Sequence, residues 1–418
     1  MITTIGLAWL TMITLVLVMA NEVAIPLDFV VRPALVTLLP AAIIGVVCAG
    51  VGPIGRLVAI LAASLVLIPD LWPVVVGLGV IEIAIWLAQR RRAGTRLAVG
   101  RFSQLTILVL LGVSVVRLLP LAADYVASPS GAADADGPPV YFLLLDGYPR
   151  VDELAQIGID NTGFVFELEA RGFDHYADAT SAHEWTHRTL QAMLAGSPGG
   201  IPDESGTNAD EQAVRTALQL PAGFVAIDPP ASHVVMRGGD QRSAGGMNDF
   251  EIRLLGTSIV GGIARDWAAG FVSDSLLRHF EESLRLMASS ASARTFAHVL
   301  APHPPFIYAG GVSPCWPGCG VFEASFRKLG MTISEWSDRM GEQLTAVNAR
   351  VLRAVDEILA RHPDAVMVLF SDHGGRFSSD GVEAHHTFLA ARTPGNPRLF
   401  AAEPRPDALL RLTLAAYP

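Results

Sequence analysis

The chain has 418 residues, of which 51% are hydrophobic and only 17% charged, and its formal net charge is −10. This composition is too apolar for an ordinary soluble protein of that length. The negative charge and the lack of a basic stripe argue against nucleic acid as a partner.

The excess of apolar residues lies before Asp124. Four segments there approach the roughly 20 residues that a helix needs to cross a bilayer. They are Ile2 to Ala20, Phe29 to Val51, Leu71 to Ala88 and Leu105 to Ala122, and a shorter fifth candidate is Leu57 to Ile68. We therefore predict a transmembrane helical domain over residues 1–123, with four to five spans and the lipid bilayer as its partner.

A cluster of arginines between the last two candidate spans indicates the orientation of the chain. The cluster consists of Arg90, Arg91, Arg92, Arg96 and Arg101. Such basic loops are retained on the cytoplasmic side, so the final span leads out of the cytoplasm. We predict a multi-pass protein of the cell (inner) membrane whose large domain lies on the external or periplasmic side.

Residues 124–139, rich in Ser, Ala, Asp, Gly and Pro, are predicted to form a linker.

Residues 140–418 are predicted to form one external α/β domain, because strand-like apolar runs alternate with helix-like segments, as in a mainly parallel sheet covered on both faces. The candidate strands are Val140 to Leu145, Gly223 to Ile227, Thr295 to Leu300, Ala365 to Phe370 and Thr387 to Ala391. The candidate helices are Thr186 to Leu194, Ala264 to Leu286 and Ser334 to Arg361. Surface loops are predicted over Gly199 to Asp210 and Gly238 to Met247.

Two cysteines of the external domain, Cys315 and Cys319, lie in the sequence SPCWPGCG. Disulfides persist on the external side of a membrane, and the intervening Pro-Gly favours a tight loop. A local disulfide is therefore predicted, because a metal site here would need two further ligands that the stretch lacks.

Two motifs place polar side chains directly after apolar runs. YFLLLDGYPR delivers Asp146, and VMVLFSDHGGR delivers Asp372 and His373. An open α/β sheet presents its ligands at the carboxyl ends of its strands. The pair therefore predicts a metal-dependent hydrolase or transferase.

The order of LLLDGYPR, a Thr-bearing segment, FAHVLAPHPPFIY and LFSDHGG resembles the alkaline phosphatase superfamily, in particular its sulfatase-like branch. The likeness covers most of Val140 to Pro394. Membrane spans followed by such a domain are also similar to lipoteichoic acid synthases and phosphoethanolamine transferases. The resemblance implies a sulfatase-like catalytic domain over 140–418 with a mainly parallel central sheet, and the membrane anchor favours a lipid-linked or envelope phosphoester as substrate.

The resemblance implies one divalent cation held by Asp146, Thr186, Asp372 and His373. Carboxylate, imidazole and hydroxyl donors favour Zn²⁺ or Mn²⁺, and the histidine makes Mg²⁺ or Ca²⁺ less favoured. It also implies that His303, in APHPPFIY, binds phosphate or protonates the leaving group. Members of the superfamily with two metals place a late histidine on the second ion, and His386 is the candidate for this position. The other ligands of a second ion are not evident in the sequence, so we expect one cation, with His386 contacting substrate or nothing. His298, inside an apolar run, is predicted to be a core residue.

The nucleophile is expected in the stretch DATSAHEWTHRTLQAMLAG, which offers Thr180, Ser181, Thr186 and Thr189. With Thr186 at the nucleophile position, Leu194 and Gly196 fall on two further positions of the sulfatase pattern. His187 and Arg188 depart from that pattern, and a threonine cannot become the formylglycine of sulfatases. We therefore expect phosphate esters in preference to sulfate esters, with a helix cap as the alternative role of Thr186.

Two alternative functions remain open from the sequence. The letters HEWTH, from His183 to His187, match the H-E-x-x-H pattern of zinc metalloproteases, which requires both histidines on one helix. A catalytically inactive sulfatase-like scaffold of the envelope is indicated if Asp372 and His373 do not converge with Asp146.

Overall fold

The computed structural model describes most of the chain from residue 137 onward and a small part before it. The described residues are 137–197, 216–229, 231–232, 234–237, 240–313, 315–316, 318–377 and 382–418, together with 37–49 and scattered positions before 63. The predicted spans and the linker lie largely outside these residues. Across the part of the chain that is described, no helix is both long enough and apolar enough to cross a membrane.

The described residues belong to two compact units. One contains helix α1 (Leu38–Ala49), helix α6 (Ile259–Ile263), nearly all of helix α5 (Asp249–Thr257) and the start of helix α7 (Arg265–Ala288). The other contains the rest of α7 and all the strands. The following paragraphs concern this second unit.

Its strands are β1 Val140–Leu145, β2 Asp174–His175, β3 Thr216–Gln219, β4 Phe224–Asp228, β5 Val234–Arg237, β6 Asp240–Ser243, β7 Arg294–Val299, β8 Val366–Phe370 and β9 Leu389–Arg392. Its remaining helices are α2 Val151–Gln156, α3 Thr162–Glu169, α4 Thr186–Ala195, α8 Ile333–Arg361 and α9 Pro406–Ala416, and Val382–His385 form a 3₁₀ turn. The predicted strands and helices are present with small shifts of their ends.

The main sheet has seven strands in the order β2-β9-β8-β1-β7-β4-β6, and β3 pairs with β5 in a small second sheet. The strands from β8 to β6 are parallel, whereas β9 is antiparallel to both β8 and β2. The predicted α/β architecture with a mainly parallel sheet is therefore present. The predicted loop Gly238 to Met247 is wrong in part, because β6 lies within it and pairs with β4.

Strand β1 is buried on both faces of the sheet. Tyr141 and Leu143 pack in the hydrophobic core that contains Trp336 of α8, while Phe142 and Leu144 pack in a second core that contains Leu190 of α4. Successive side chains of a strand point to opposite faces, so a strand covered on both sides must be apolar throughout. This requirement explains the uninterrupted sequence VYFLLL.

The parallel neighbours of β1 determine where the predicted motifs meet. β1 lies between β7 and β8, with Leu144 paired to His298 on one side and to Phe370 on the other. Because the three strands run in the same direction, the segments that follow them leave from one edge of the sheet. Asp146, His303 and the Asp372-His373 pair all follow these strands.

The long helix α8 begins at a capping box. The Thr332 hydroxyl accepts a hydrogen bond from the Glu335 backbone N–H, and the Glu335 carboxylate accepts one from the Thr332 backbone N–H. This exchange satisfies two donors that a helix start leaves unpaired.

The predicted disulfide between Cys315 and Cys319 is confirmed, with a Cα–Cα distance of 5.5 Å.

Candidate metal centre

Asp146 is a buried carboxylate that lies between two histidines. Its Oδ2 accepts a hydrogen bond from His298 Nε2 at 3.1 Å, and its Oδ1 lies 3.4 Å from His373 Nε2. Burial alone would raise the pKa of Asp146, but the hydrogen bonds from His298 and His373 and the nearby charge of His303 hold this pKa well below its usual range. Asp146 is therefore a carboxylate anion ready to act as a ligand.

Asp372 adds a second buried carboxylate beside the first. Its Oδ1 accepts a hydrogen bond from the Gly147 N–H at 3.1 Å, whereas its Oδ2 lies 3.7 Å from His373 Nε2 and has no hydrogen-bond partner among the described residues. The Asp372 side chain is completely buried. A buried carboxylate oxygen without a donor is strongly unfavourable unless a cation faces it.

His373 and His303 have the same tautomer, fixed by the backbone. His373 Nδ1 lies 2.9 Å from the Gly374 carbonyl, and His303 Nδ1 lies 2.7 Å from the Pro304 carbonyl. A carbonyl only accepts, so each Nδ1 carries the proton and each Nε2 is left as the ligand atom when the ring is neutral. Burial lowers the pKa of His303, which favours the neutral form that a metal ligand needs.

Burial and the neighbouring carboxylates shift the pKa of His373 in opposite directions. Burial would lower its pKa, but the charge of Asp372 and the hydrogen bond to Asp146 raise it above the usual value. Two buried carboxylates thus favour a positive charge at this position. A divalent cation bound here would supply that positive charge, and the imidazole would then bind it without its Nε2 proton.

These side chains meet the distance requirement for a shared cation. Candidate ligand atoms of Asp146, His303 and His373 all lie within 4.8 Å of one another. The unpartnered Oδ2 of Asp372 faces His373 in the same cluster. The donor set therefore fits a divalent cation such as Zn²⁺ or Mn²⁺, and the structure adds His303, which the sequence assigned to substrate, to the candidate ligands.

Gly147 allows the two histidines to approach the backbone after β1. A Cβ at this position would lie 3.0 Å from His303 Cδ2 and 3.1 Å from His373 Cε1, and Gly147 has a φ of +63°. Only glycine adopts this left-handed backbone without steric cost. Glycine at position 147 is therefore needed both for the turn after β1 and for the close packing of His303 and His373.

Gly147→Ala is expected to lower metal affinity by about 10-fold, because the new methyl displaces both imidazoles. The matched control is Gly158→Ala, since Gly158 has a φ of +82° but nothing within 4 Å of the added Cβ. Both variants should lose roughly 1 kcal/mol of folding free energy from backbone strain. Calorimetric titration with Zn²⁺ separates them, and equal affinities in the two variants would contradict the packing argument.

Helix α4 brings the predicted nucleophile segment to the same region. Thr189 Oγ1 donates to the Asp372 backbone carbonyl at 3.0 Å and lies 3.1 Å from Ser181 Oγ. Thr186 is the first residue of α4, and its side chain is half-buried. The alternative role of Thr186 as the helix cap is wrong, because Trp185 has the extended backbone of the N-cap and Thr186 is already helical.

The arrangement required by the metalloprotease alternative is not present. His183 precedes α4 in irregular backbone, whereas His187 is the second residue of the helix. The i, i+4 spacing brings two imidazoles together only when both lie on the same helix. The match of HEWTH to the protease pattern therefore has no structural counterpart.

His386 is paired with a buried carboxylate. Its Nδ1 lies 2.5 Å from Glu153 Oε1, and Glu153 belongs to the short helix α2 that follows the DGYP turn. Neighbouring backbone reaches the metal centre, because the Gly374 N–H donates to the Ala384 carbonyl. The pairing fixes the ring of His386, and its contact with substrate stays a prediction.

His298 was predicted to be a core residue, and it is buried but not inert. It donates a hydrogen bond to Asp146 and so fixes the orientation of a candidate ligand. Burial would lower its pKa, but the hydrogen bond to Asp146 raises it. The signal in the sequence was a histidine inside an otherwise apolar strand.

Comparisons with known proteins return solved structures at low similarity. No family model matches the chain. No curated protein matches it.

The similar structures include the C-terminal periplasmic domain of EcEptC from Escherichia coli in complex with Zn, at 15% identity, covering 70% of this chain and 86% of that one with a TM-score of 0.37. The lipooligosaccharide phosphoethanolamine transferase A (EptA) from Neisseria meningitidis, an integral membrane protein, has 12% identity, coverages of 87% and 69%, and a TM-score of 0.35. The 2-O GAG sulfatase BT1596 has 14% identity, coverages of 66% and 70%, and a TM-score of 0.39.

These proteins belong to the groups that the sequence motifs resemble. The functional proposal depends on the residues of the candidate metal centre.

Proposed function

We propose that this chain is a metal-dependent enzyme that hydrolyses or transfers phosphate esters. The observation that carries the proposal is the convergence of Asp146, His303 and His373 within 4.8 Å, beside buried Asp372, whose Oδ2 accepts no hydrogen bond from the described residues. The residues come from the ends of three adjacent parallel strands. Convergence of this kind also argues against the inactive scaffold.

One divalent cation, Zn²⁺ or Mn²⁺ in preference to Mg²⁺ or Ca²⁺, is proposed to bind Asp146, Asp372 and His373, with His303 and the Thr186 hydroxyl as further ligands. Such an ion polarises a phosphoryl oxygen and lowers the pKa of a coordinated hydroxyl. Among the residues that the structure describes, one group of three or more ionisable ligands meets the distance requirement. We therefore propose a single cation.

Thr186 is proposed as the nucleophile. Of the other hydroxyls in its segment, Ser181 and Thr189 are engaged with each other and with backbone carbonyls. The first N–H groups of α4 lack acceptors within the helix, and Trp185 provides no side-chain cap. They are suited to bind phosphoryl oxygens while Thr186 Oγ attacks phosphorus.

The reaction then has two steps. A bond forms between Thr186 Oγ and phosphorus while the bond to the alkoxide leaving group breaks, and the phosphothreonine is resolved in the second step. Resolution by water makes the enzyme a hydrolase, and resolution by an acceptor hydroxyl makes it a transferase.

The tautomer of His303 bears on its role in the first step. Its Nδ1–H is committed to the Pro304 carbonyl, so the neutral ring has an unprotonated Nε2. That atom is suited to bind a cation or accept a proton, and only the imidazolium form donates one to a leaving group. Because burial lowers the pKa of His303, the ring is favoured in its neutral form. We therefore favour binding of the cation by His303 over protonation of the leaving group.

The substrate is proposed to be a phosphoester of the cell envelope or one linked to lipid. The support comes from the sequence alone, in the apolar segments of residues 1–123 and the linker 124–139 that tether the catalytic domain 140–418 near a bilayer. A threonine in place of a cysteine or serine favours phosphate over sulfate esters.

A chelation assay on the purified full chain tests the proposal. Treatment with EDTA should lower turnover of bis(p-nitrophenyl) phosphate by at least ~100-fold, and Zn²⁺ or Mn²⁺ should restore it. Turnover of p-nitrophenyl sulfate should stay lower throughout. Full activity in protein shown by elemental analysis to be free of metal would contradict the proposal.

A further inference from the structure

Arg376 follows the SDHGG motif, and no feature of the sequence assigned it a role. Its Nη2 donates to the Glu184 carbonyl at 2.6 Å. Its guanidinium carbon lies 4.2 Å from the centroid of the Trp185 ring. Both contacts fix the side chain against the residues that immediately precede Thr186.

Part of this guanidinium is left without a partner. Arg376 Nε is buried and has no hydrogen-bond partner among the described residues. A charged N–H that is buried without an acceptor is costly, and an arginine offers several donors in a rigid plane. The position therefore suits an acceptor that the described residues do not provide.

The guanidinium also acts on the candidate metal centre. The positive charge of Arg376 interacts with His303 of this centre. Arg376 is therefore within electrostatic range of His303, and it is three residues from His373 in the chain. A fixed positive charge therefore lies against the residues that precede α4.

We propose that Arg376, stacked on Trp185, binds a non-bridging oxygen of the phosphoryl group whose other oxygens face the cation and the N-terminus of α4. The inference rests on the proposed function and names the residue that recognises the anionic part of the substrate. Planar guanidinium groups pair well with phosphate because their N–H donors match its oxygens. Trp185 holds the plane of the guanidinium, and the Glu184 carbonyl fixes its rotation.

The test is binding of inorganic phosphate to Zn²⁺-loaded full-length protein, followed by calorimetry. Arg376→Gln should weaken phosphate binding by about 10-fold to 100-fold, and Arg376→Lys should recover only part of this loss. Zn²⁺ stoichiometry should be unchanged in both variants. KM for bis(p-nitrophenyl) phosphate should rise in parallel with the phosphate dissociation constant.

The matched control is Arg350→Gln. Arg350 also lies 4.2 Å from an aromatic ring, that of Tyr308, but on α8 and paired with Glu281. Its replacement removes an equivalent stacked arginine and should leave phosphate affinity unchanged. A role of Arg376 limited to clamping α4 would lower the melting temperature without changing phosphate affinity in the folded protein.

The outcomes separate this inference from the proposed function. Equal phosphate affinity in wild type and Arg376→Gln, or no phosphate binding by the Zn²⁺-loaded wild type, overturns the role of Arg376. Wild-type protein that binds phosphate through Arg376 but turns over no phosphoester overturns the proposed function alone.

Discussion

Asp372→Asn is expected to abolish binding of the divalent cation and to lower phosphoester turnover by on the order of 10³-fold or more. The substitution keeps the shape of the side chain and the acceptor that Oδ1 offers to the Gly147 N–H. It removes the negative charge at Oδ2, the buried oxygen that has no donor among the described residues. Elemental analysis and turnover, measured on the same preparation, check both effects.

The metal-free form of this variant provides an internal control. In the metal-free protein the Asp372 carboxylate faces His373 at 3.7 Å, so the metal-free variant should be no more stable than the metal-free wild type. Added Zn²⁺ should then raise the melting temperature of the wild type and not that of the variant. Asp338→Asn, at an exposed position of α8, is the matched control and should behave as wild type. Full Zn²⁺ occupancy in Asp372→Asn would contradict the assigned ligand set.

Thr186→Ala is expected to lower turnover by on the order of 10³-fold or more while most of the metal affinity remains. In the proposed reaction Thr186 supplies the reacting oxygen, whereas the carboxylates of Asp146 and Asp372 and the imidazole of His373 are proposed to hold the cation. Thr186→Ser keeps a hydroxyl at the same helical position and should retain measurable turnover. Single-turnover kinetics on the Zn²⁺-loaded variants provide the measurement.

Thr162→Ala is a suitable control for the loss of a hydroxyl at a helix start. Thr162 is the first residue of α3, and its hydroxyl donates to the exposed carboxylate of Asp160. Its loss should leave turnover unchanged. If Thr186→Ala retains wild-type turnover, another group must be the nucleophile, and the proposed two-step reaction is wrong.

Much of the sheet could be predicted because its central strands are apolar on both faces. The runs that became β1 and β8 stand out for this reason, and their polar ends could be assigned to one edge of a parallel sheet. The short strand β6 was taken for a loop, since DQRS has no apolar pattern and forms a strand only by pairing with β4. Pairing of this kind depends on tertiary contacts that local sequence does not encode.

Some residues of the candidate site could likewise be predicted from the sequence, and others could not. Asp146, Asp372 and His373 could be predicted because each follows an apolar strand directly. The contact between His298 and Asp146 could not, because it depends on the register that pairs His298 with Leu144, two residues before Asp146 on the same face of β1. The position of His303 within 4.8 Å of Asp146 and His373 could not be predicted either, because it depends on the path of a loop rich in proline.

The proposed function depends above all on one cation held by residues that follow strands β1 and β8. The most direct measurement is a crystal structure of the protein grown with Zn²⁺, with anomalous diffraction recorded at the zinc edge. The account predicts a single strong peak about 2.0–2.2 Å from ligand atoms of Asp146, Asp372 and His373. A zinc-loaded crystal with no anomalous peak among these three side chains would contradict it.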